Sequence, residues 1–409
     1  MPSEFARHWT LDPSVTFLNH GSFGAAPRAV LSAQQRWRDR MEAEPVRFFS
    51  HELEPALRDA RTALGAFVGA NPDDLAFVPN ATAGFNTVLR SLALAPGDEV
   101  LTTDHEYNAA KNALEFNADR VGARVVIAPV SFPTEDPGSV VGSVLAAVTP
   151  RTRLVLLDHV TSATALVFPI EALVAELAAR GIETLVDGAH APGQVSLDLS
   201  TLGATYYTAN LHKWVCAPKG AGFLWVRPDR QVGIRPLAIS HGANSPRTDQ
   251  SLFRSEFDWT GTADQSAYLA VPEAIRFGEQ LMPGGWDALR RRNHALVLEG
   301  RDLLCEALRI PSPAPDSMIG SMASVPLPRE TRPGRVQGVE LYDDPVHDHL
   351  ARRGIQVMIT PWPQRPGGGP WQRLVRISAA AYNDRDQYAA LAAELPGAIA
   401  AAAAASASA

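Results

Sequence analysis

With 409 residues, the chain is longer than one ordinary hydrophobic core requires, so we expect two domains or one large α/β unit with an appendage. Its 46% hydrophobic and 20% charged residues exclude a disordered or fibrous protein. The formal net charge is −7 and the sequence has no basic stripe, which argues against nucleic acid as the main partner.

Cysteine use and the N-terminal sequence narrow the class further. The two cysteines, Cys216 and Cys305, are too few for a disulfide framework, and no CxxC or HExxH spacing indicates a metal site. The start, MPSEFARHW, lacks the apolar core of a signal peptide, and no apolar run is long enough to cross a bilayer. We therefore expect a cytoplasmic enzyme with neither a metal nor a membrane partner.

The first two thirds of the chain alternate between helical patterns and apolar β-type runs. A helical region at 27–70, broken near Pro45, comes first. Strands are then predicted at 74–79, 99–104, 123–130, 153–160 and 182–187, with helices at 86–94, 109–120 and 171–180 between them. Apolar strands separated by helices predict a parallel sheet covered on both faces, and a further strand at 220–228 could run antiparallel.

The pattern changes from about residue 265 and indicates a smaller α+β domain. The predicted features there are a long helical stretch at 266–309, Pro-rich segments near 311–334, weaker alternation at 338–342 and 355–360, a strand at 373–380 and a closing helix. The predicted units are an N-terminal segment at 1–25 packing on the site, a large domain at 26–265, a small domain at 266–396 and a frayed Ala/Ser tail at 397–409.

Three strand ends carry polar clusters, at the edge where open α/β sheets bind ligands. In the first, residues 80–86 (NATAGFN), small side chains leave the amides of a helix N-terminus open to a phosphate, and Thr82 could add a hydroxyl. Ordinary N-capping by Asn80 or Thr82 is the alternative. In the second, Asp187 ends an apolar strand, where it could pair with a protonated pyridine nitrogen or simply cap the turn.

The third cluster contains Lys213, between His212 and Trp214. Basic residues are almost all arginine here, and the three lysines are Lys111, Lys213 and Lys219. Arginine cannot replace an amine nucleophile because its guanidinium stays protonated, so Lys213 is a candidate for imine formation. A surface lysine is the alternative for Lys213, and Lys111 is assigned no role. Together the clusters predict one pocket with a phosphate cradle, a pyridinium partner and an imine lysine.

Six strings carry a family resemblance over about residues 10–390. They are FLNHGSFGAAP (17–27), NATAGFN (80–86), VDGAHAPGQ (186–194), NLHKWVCAPKGAGFLWV (210–226), FDWTGTAD (257–264) and RISAAAYN (376–383). The sequence resembles class V aminotransferases of pyridoxal-phosphate (PLP) fold type I, and within them the isopenicillin N epimerase-like group. The resemblance implies a mainly parallel seven-stranded sheet between helices in the large domain, and a smaller α+β C-terminal domain.

The same resemblance implies roles at the cofactor. Lys213 would form the internal aldimine with PLP and move the α-proton, Asp187 would pair with the pyridine nitrogen, and His190 would lie by the phenolic oxygen. The residues implied to hold the phosphate are Ala81, Thr82, Asn210 and His212.

Other implied roles concern the substrate and the neighbouring subunit. Arg376 would bind a substrate carboxylate in a bidentate manner, for which its planar guanidinium is suited. Asn19 and His20 would lie on the substrate side. Arg47 matches a motif near the substrate entrance, although it could equally be an ion-pair partner. Thr262 in WTGT would reach the phosphate of a neighbouring subunit, which implies a homodimer with shared sites.

An aromatic ring should stack on the pyridine face, and residues 104–108 (DHEYN) supply two candidates. Tyr107 is favoured and His105 is the alternative, and either ring could instead pack beneath the strand end. Two further segments, 236–256 and the Pro/Gly loop 361–370, are expected to line the entrance.

One departure from the family bears on the reaction. Cysteine desulfurases of this superfamily need a cysteine on a mobile loop of the C-terminal domain, and the corresponding stretch, 357–371, has none. Cys216 follows the lysine too closely to be that nucleophile and is better explained as a small buried hydrophobe. Persulfide chemistry of that type is therefore not expected.

The fate of the quinonoid formed by loss of the α-proton depends on the protein. The resemblance favours an amino-acid epimerase, and the alternatives are a C–S lyase of the ergothioneine-pathway kind and an aminotransferase. Tyr107 could serve the epimerase or the lyase as a proton donor. A non-catalytic PLP-fold sensor or scaffold should have lost a binding element, and all three clusters are intact.

Overall fold

The structure, a computed structural model, describes residues 3–328, 342, 344–363 and 372–407. The strands are β1 (Thr16–Phe17), β2 (Leu75–Val78), β3 (Glu99–Thr103), β4 (Arg124–Ala128), β5 (Thr152–Asp158), β6 (Glu183–Asp187), β7 (Tyr206–Asn210), β8 (Gly222–Val226), β9 (Met322–Pro326), β10 (Ile355–Gln356), β11 (Met358–Trp362) and β12 (Gln372–Ser378).

Helices surround these strands. Those of eight or more residues are Arg28–Ala43, Leu53–Val68, Ala81–Ser91, Asn108–Val121, Pro137–Ala146, Ile170–Ala179, Val271–Gln280, Gly285–Leu308, Pro345–Arg352 and Arg385–Ala407. Shorter helical segments are Glu4–His8, His20–Phe23, Pro45–Arg47, Phe48–Glu52, Pro72–Asp74, Leu199–Leu202, Pro228–Gly233, His241–Asn244, Leu252–Phe257, Ser266–Leu269 and Asp316–Met318.

Seven strands form the central sheet, in the order β2-β8-β7-β6-β5-β3-β4. Neighbouring strands run parallel except at β8, which is antiparallel to both β2 and β7. Hydrophobic clusters cover both faces of the sheet, and this explains why its strands are near-continuous apolar runs. The predicted mainly parallel seven-stranded sheet is confirmed, and β8 is indeed the antiparallel member.

The small domain is built on a three-stranded antiparallel sheet in the order β11-β12-β9. Helices Gly285–Leu308 and Arg385–Ala407 pack on each other, and the first of them also packs on β9. Strand β1 pairs in parallel with β10, so the N-terminal segment joins the small domain. The residues that follow β1 are thereby held between the small domain and the edge of the large sheet.

Some elements are not apparent in the sequence pattern. Strands β7 and β9 and the helix Pro137–Ala146 are absent from the predicted set, because these segments are short and lack a strong apolar period. The predicted helical stretch 266–309 is interrupted around Pro283 and Gly284, where proline cannot continue the hydrogen-bonding pattern.

The predicted frayed tail at 397–409 is wrong as far as Ala407, because the helix Arg385–Ala407 continues through it. Alanine has the highest helix propensity, and Ala398 and Ala402 are buried one turn apart. The predicted alternation at 338–341 lies outside the described residues. Within the described part of the chain, no helix is long and apolar enough to cross a membrane, and no cluster of His, Cys, Asp and Glu could hold a metal.

Gly84 determines how closely the helix Ala81–Ser91 packs on β7. A Cβ at this position would collide with Oγ1 of the buried Thr208. We therefore expect Gly84→Ala to lower the free energy of unfolding by about 1–3 kcal/mol, as overpacking of a core usually does. Denaturant titration measures the change.

Gly142→Ala is the matched control for this substitution. Gly142 is exposed on the helix Pro137–Ala146, and nothing lies within 4 Å of its Cβ position. The control should be neutral or stabilise by roughly 0.5–1 kcal/mol, because alanine has the higher helix propensity. Equal effects of the two substitutions would contradict the close packing of this helix on β7.

Candidate active site

A cavity of about 250 Å³ lies at the carboxyl ends of β5, β6 and β7, with β11 and β12 of the small domain along one side. Nine of the predicted site residues line it: Ala81, Thr82, Tyr107, Asp187, His190, Asn210, His212, Lys213 and Arg376. The three polar clusters, which are distant in sequence, therefore meet in one place, because the carboxyl ends of parallel strands share one edge of the sheet.

The amine of Lys213 faces this cavity from the loop that follows β7. Its Nζ lies 3.0 Å from Nε2 of His190, and Nε1 of Trp214 donates to Nδ1 of the same imidazole at 3.4 Å. Because Nδ1 accepts that bond, the imidazole proton belongs on Nε2, which then donates to the lysine amine.

Burial supports this neutral pairing. Burial and then the charge of Arg376 lower the pKa of Lys213 to about 7, so a large share of the amine is unprotonated near neutral pH. Burial, together with the charges of Lys213 and Arg376, holds the pKa of His190 well below its usual value. A neutral imidazole and a neutral amine can therefore lie in contact, and the amine is available as a nucleophile.

The main chain at Lys213 is held from behind by the N-terminal segment. His20 is buried, with Nδ1 2.8 Å from the hydroxyl of Tyr382 and Nε2 2.9 Å from the carbonyl oxygen of Lys213. Gly24 has a φ of 68°, and a Cβ there would collide with the carbonyl oxygen of His212. His20 thus supports the lysine backbone and does not line the cavity, which differs from its predicted place on the substrate side.

Asp187 ends β6 and is buried at the floor of the cavity. The amide of Ala189 donates to its Oδ1 at 2.8 Å, which fixes the carboxyl orientation. Burial raises the pKa of Asp187 to about 6, and the Ala189 hydrogen bond and the charge of Lys213 oppose that rise. A cationic group in the cavity would favour the ionised form of this carboxyl further.

The N-terminus of the helix Ala81–Ser91 forms another part of the cavity lining. Oδ1 of Asn210 accepts the amide of Ala81 at 2.9 Å, and Oδ1 of Asn80 accepts the amide of Ala83 at 2.9 Å. Asn80 is therefore the N-cap of this helix, as the alternative interpretation of the cluster expects. Thr82 lines the cavity between these two amides, where the positive end of the helix dipole favours an anion.

Arg376 on β12 is buried and forms no ion pair among the described residues. It donates to the carbonyl oxygen of Ser162 at 2.7 Å and to Oγ of Ser22 at 2.8 Å, while its Nε has no partner. Burial lowers its pKa to about 10, so the guanidinium is still charged near neutral pH. A buried cation without a carboxylate partner is suited to an anionic ligand.

Tyr107 and His105 occupy different environments although they are two residues apart. Tyr107 is 39% exposed and lines the cavity. His105 is 2% exposed and lies 2.6 Å from Oγ1 of Thr164 and 2.9 Å from the carbonyl oxygen of Val130, so both ring nitrogens are bonded inside the core. Tyr107 is therefore the aromatic residue available to a cofactor, and His105 packs beneath the strand end.

Three other predicted residues do not line the cavity. Asn19 lies behind it, where its Oδ1 accepts from Oγ of Ser22 at 2.8 Å. The side chain of Arg47 is 69% exposed and forms an ion pair with Glu52 at 2.8 Å. Within one subunit Arg47 is therefore an ion-pair partner, which was the alternative prediction. Thr262 is exposed in a turn outside the cavity.

The structure also places residues in or beside the cavity that the sequence reasoning did not single out. Asp158, Ser162, Met358 and Thr360 line it, and the hydroxyl of Tyr342 accepts a hydrogen bond from Asn19 at 2.9 Å. Asp158 could have been found, because it is an acid near the end of the predicted strand 153–160, as Asp187 is at the end of 182–187. Most of the predicted entrance loop 361–370 lies outside the described residues.

Comparisons with known proteins agree with the geometry. A family model described as aminotransferase class-V matches residues 17–315. An isopenicillin N epimerase from Amycolatopsis lactamdurans is 36% identical over 398 residues, which cover 94% of this chain and 95% of the relative. A putative L-cysteine desulfhydrase 2 from Oryza sativa subsp. japonica is 33% identical, over 95% of this chain and 85% of the relative.

Solved structures share the fold. A mutant of C-DES with glycine covalently linked to the PLP cofactor has a TM-score of 0.77 at 21% identity, covering 95% of this chain and 98% of that chain. A cysteine desulfurase from Thermococcus onnurineus NA1 has a TM-score of 0.78 at 19% identity, covering 98% and 99%. At these identities the likeness shows the fold, which is PLP fold type I with a large and a small domain.

The residues of the cavity fit PLP. An aldehyde needs a neutral amine, which Lys213 supplies, and a protonated pyridine nitrogen needs a buried carboxylate, which Asp187 supplies. A phosphate is favoured by the positive end of a helix, and the N-terminus of the helix Ala81–Ser91 lines the cavity at Thr82.

Asn210 positions the phosphate end of the site through its bond to the amide of Ala81. Asn210→Ala leaves that buried amide without its acceptor, so we expect the apparent dissociation constant for PLP to rise by about ten- to a hundredfold, corresponding to roughly 1–3 kcal/mol. Absorbance titration of the apoenzyme with PLP measures it.

Asn117→Ala is the matched control, because Asn117 is also a buried asparagine bonded to a backbone group, the carbonyl of Ala113 at 2.8 Å, but lies outside the cavity. Its effect should fall on stability and leave PLP affinity unchanged. Equal losses of affinity in both variants would contradict the role given to Asn210.

Proposed function

Because the chain belongs to the class-V aminotransferase family and is a PLP-dependent enzyme, we propose that it acts at the α-carbon of an amino acid as an epimerase. The observation that carries this proposal is the meeting of Lys213, Tyr107 and Arg376 around one cavity. Two groups able to exchange protons and one cation for a carboxylate are what inversion at an α-carbon requires.

PLP linked to Lys213 supplies an electron sink that makes the α-proton of an amino acid removable. The amine of Lys213 accepts or returns that proton. Its pKa of about 7 makes both directions of transfer possible near neutral pH. His190 keeps the amine in place through the 3.0 Å contact between Nε2 and Nζ. Asp187, at the end of the neighbouring strand β6, provides a negative charge in the cavity lining.

Arg376 is the group we propose to orient the substrate. Hydrogen bonds to Ser162 and Ser22 fix the plane of its guanidinium before a ligand binds. A carboxylate bound there in a bidentate manner fixes the neighbouring α-carbon relative to Lys213. Because no carboxylate of the described residues neutralises this arginine, the substrate supplies its counter-ion.

Tyr107 is the proposed second acid–base group. Burial, and then the charge of Asp187, raises the pKa of its phenol, so the hydroxyl is protonated near neutral pH and can donate a proton. Epimerisation needs this second donor because a single amine returns the proton to the face from which it came. The epimerases among the relatives support this choice of reaction.

A C–S lyase is the second candidate, favoured by the L-cysteine desulfhydrase among the relatives. In that case Tyr107 would donate its proton to the departing sulfur. A cysteine desulfurase is disfavoured, since neither cysteine of the chain can act as its nucleophile. Burial raises the pKa of Cys216 to about 12 and that of Cys305 to about 11, and neither lines the cavity.

We further propose a homodimer with shared sites. Thr262 is the predicted contributor, and it is exposed and lies outside the cavity of its own subunit. Such a position is compatible with service to the site of a partner subunit.

Incubation with L-amino acids and thioethers in deuterated water tests the reaction. An epimerase incorporates deuterium at the α-carbon and forms the D-isomer. Release of sulfide with pyruvate would establish the lyase instead, and formation of a ketoacid without D-product would establish an aminotransferase. Nuclear magnetic resonance and chiral chromatography give both readouts.

In the same experiment Tyr107→Phe should slow formation of the D-isomer by about two to four orders of magnitude. Exchange of the α-proton in the remaining L-isomer should persist, because Lys213 is intact. Tyr206→Phe is the matched control, since Tyr206 is a buried tyrosine bonded to Glu183 outside the cavity. Undiminished D-isomer formation by Tyr107→Phe would remove Tyr107 from the mechanism.

A further inference from the structure

Three carboxyl groups and one lysine are buried beside the cofactor cavity. They belong to Asp187, Asp158, Glu106 and Lys111, none of which is more than 4% exposed. Asp158 ends β5 directly beside Asp187 of β6 in the parallel register, so the two side chains leave the sheet next to each other on the same face. Glu106 follows β3, the next strand in the sheet, and Lys111 lies on the helix Asn108–Val121.

Asp158 has an unusual environment within this group. It lines the cofactor cavity, and its Oδ2 is buried without a hydrogen-bond partner among the described residues. A buried, ionised oxygen in that position would lose its hydration with no compensating bond, which costs several kcal/mol. The oxygen must therefore either carry a proton or meet a donor.

Glu106 has the opposite environment. The amide of Tyr107 donates to its Oε1 at 3.0 Å, and the hydroxyl of Thr102 donates to its Oε2 at 3.2 Å. Both oxygens are thus bonded as acceptors, which favours a carboxylate. Burial and the charge of Asp187 raise the pKa of Glu106 to about 8, so Glu106 competes with Asp158 for one proton. The two acceptor bonds at Glu106 and the unpartnered oxygen of Asp158 favour the proton on Asp158. The positive charge of Lys111 acts on both Glu106 and Asp158. One lysine can neutralise the negative charge of only one of these two side chains.

More negative than positive charge faces Asp158. Burial and the charges of Glu106, from the loop after β3, and Asp187, from β6, raise the pKa of Asp158. The charge of Lys111 lowers it but acts on Glu106 as well. Burial lowers the pKa of Lys213, in the loop after β7, to about 7, so this lysine is only partly charged near pH 7, and its amine contacts His190. If Asp187 is ionised to pair with the cofactor ring and Glu106 is ionised as well, an ionised Asp158 would be a third negative charge without a matching positive charge.

We propose that Asp158 is a positioning residue that lines the cofactor cavity as a neutral carboxylic acid and donates a hydrogen bond to the carboxylate of Asp187. Glu106 and Lys111 then form the ion pair of the group. Burial, with the charges of Glu106 and Asp187, raises the pKa of Asp158 well above its usual value, in agreement with this assignment. The bond weakens the hold of Asp187 on the ring proton of the cofactor.

This inference rests on the PLP cofactor and not on the choice between epimerase and lyase. Infrared spectra of the holoenzyme at pH 7, in water and in deuterated water, test it without substrate. A protonated carboxyl shows a C=O stretching band that shifts on deuteration and that carboxylates lack. The wild type should show one such band, Asp158→Asn should lose it, and Glu106→Gln should retain it.

Absence of the band from the wild type would overturn the proposal, even if no variant folds. Loss of the band in Glu106→Gln with its retention in Asp158→Asn would overturn it as well, because the proton would then belong to Glu106. Failure to form a D-product from any amino acid leaves these spectra unchanged, so the two proposals fail separately.

The pH titration of the cofactor ring nitrogen, followed by ¹⁵N nuclear magnetic resonance of the enzyme loaded with ¹⁵N-labelled PLP, gives a second readout. Asp158→Asn keeps an N–H donor towards Asp187, so its midpoint should match the wild type. Asp158→Leu has a similar volume but no donor, so Asp187 should hold the ring proton more strongly and the midpoint should rise by roughly 1 pH unit. Equal midpoints in the wild type and Asp158→Leu would contradict the proposed hydrogen bond, whereas a merely structural role would not separate Asn from Leu in this way.

Discussion

The contact between Nε2 of His190 and Nζ of Lys213 links the ends of β6 and β7, and the rest of the site depends on both partners being neutral. Burial removes the charge from the imidazole and lowers the pKa of the amine, so a cation is not forced against another cation. Trp214 fixes the imidazole tautomer, and His20 fixes the backbone that carries the amine. The nucleophilicity of the Lys213 amine therefore depends on the packing around it as well as on the lysine side chain itself.

The parts of the molecule with a strong period could be predicted from the sequence. Strands such as β5 and β6 are apolar on both faces because helices cover both faces, and this pattern is local in the chain. Asp187 and Lys213 could be found because each follows such a strand, and parallel strands bring their carboxyl ends to one edge. The family resemblance added the roles of individual site residues, which their spacing along the sequence cannot supply.

What could not be predicted depends on which neighbour a side chain meets in the folded chain. His105 and Tyr107 have similar sequence surroundings, yet one is bonded in the core and the other lines the cavity. Lys111 had no assigned role, although it is buried near Glu106 and Asp158, which come from different strand ends. Likewise, the alanine tail has the composition of a frayed end, and only its packing shows that it is part of a helix.

Reduction of the holoenzyme with borohydride, followed by peptide mapping, tests the central claim most directly. The reduced cofactor should be found on Lys213 alone, because this is the amine that burial and His190 keep neutral in the cavity. Label on Lys111 or Lys219, or on no lysine, would contradict the account of the site.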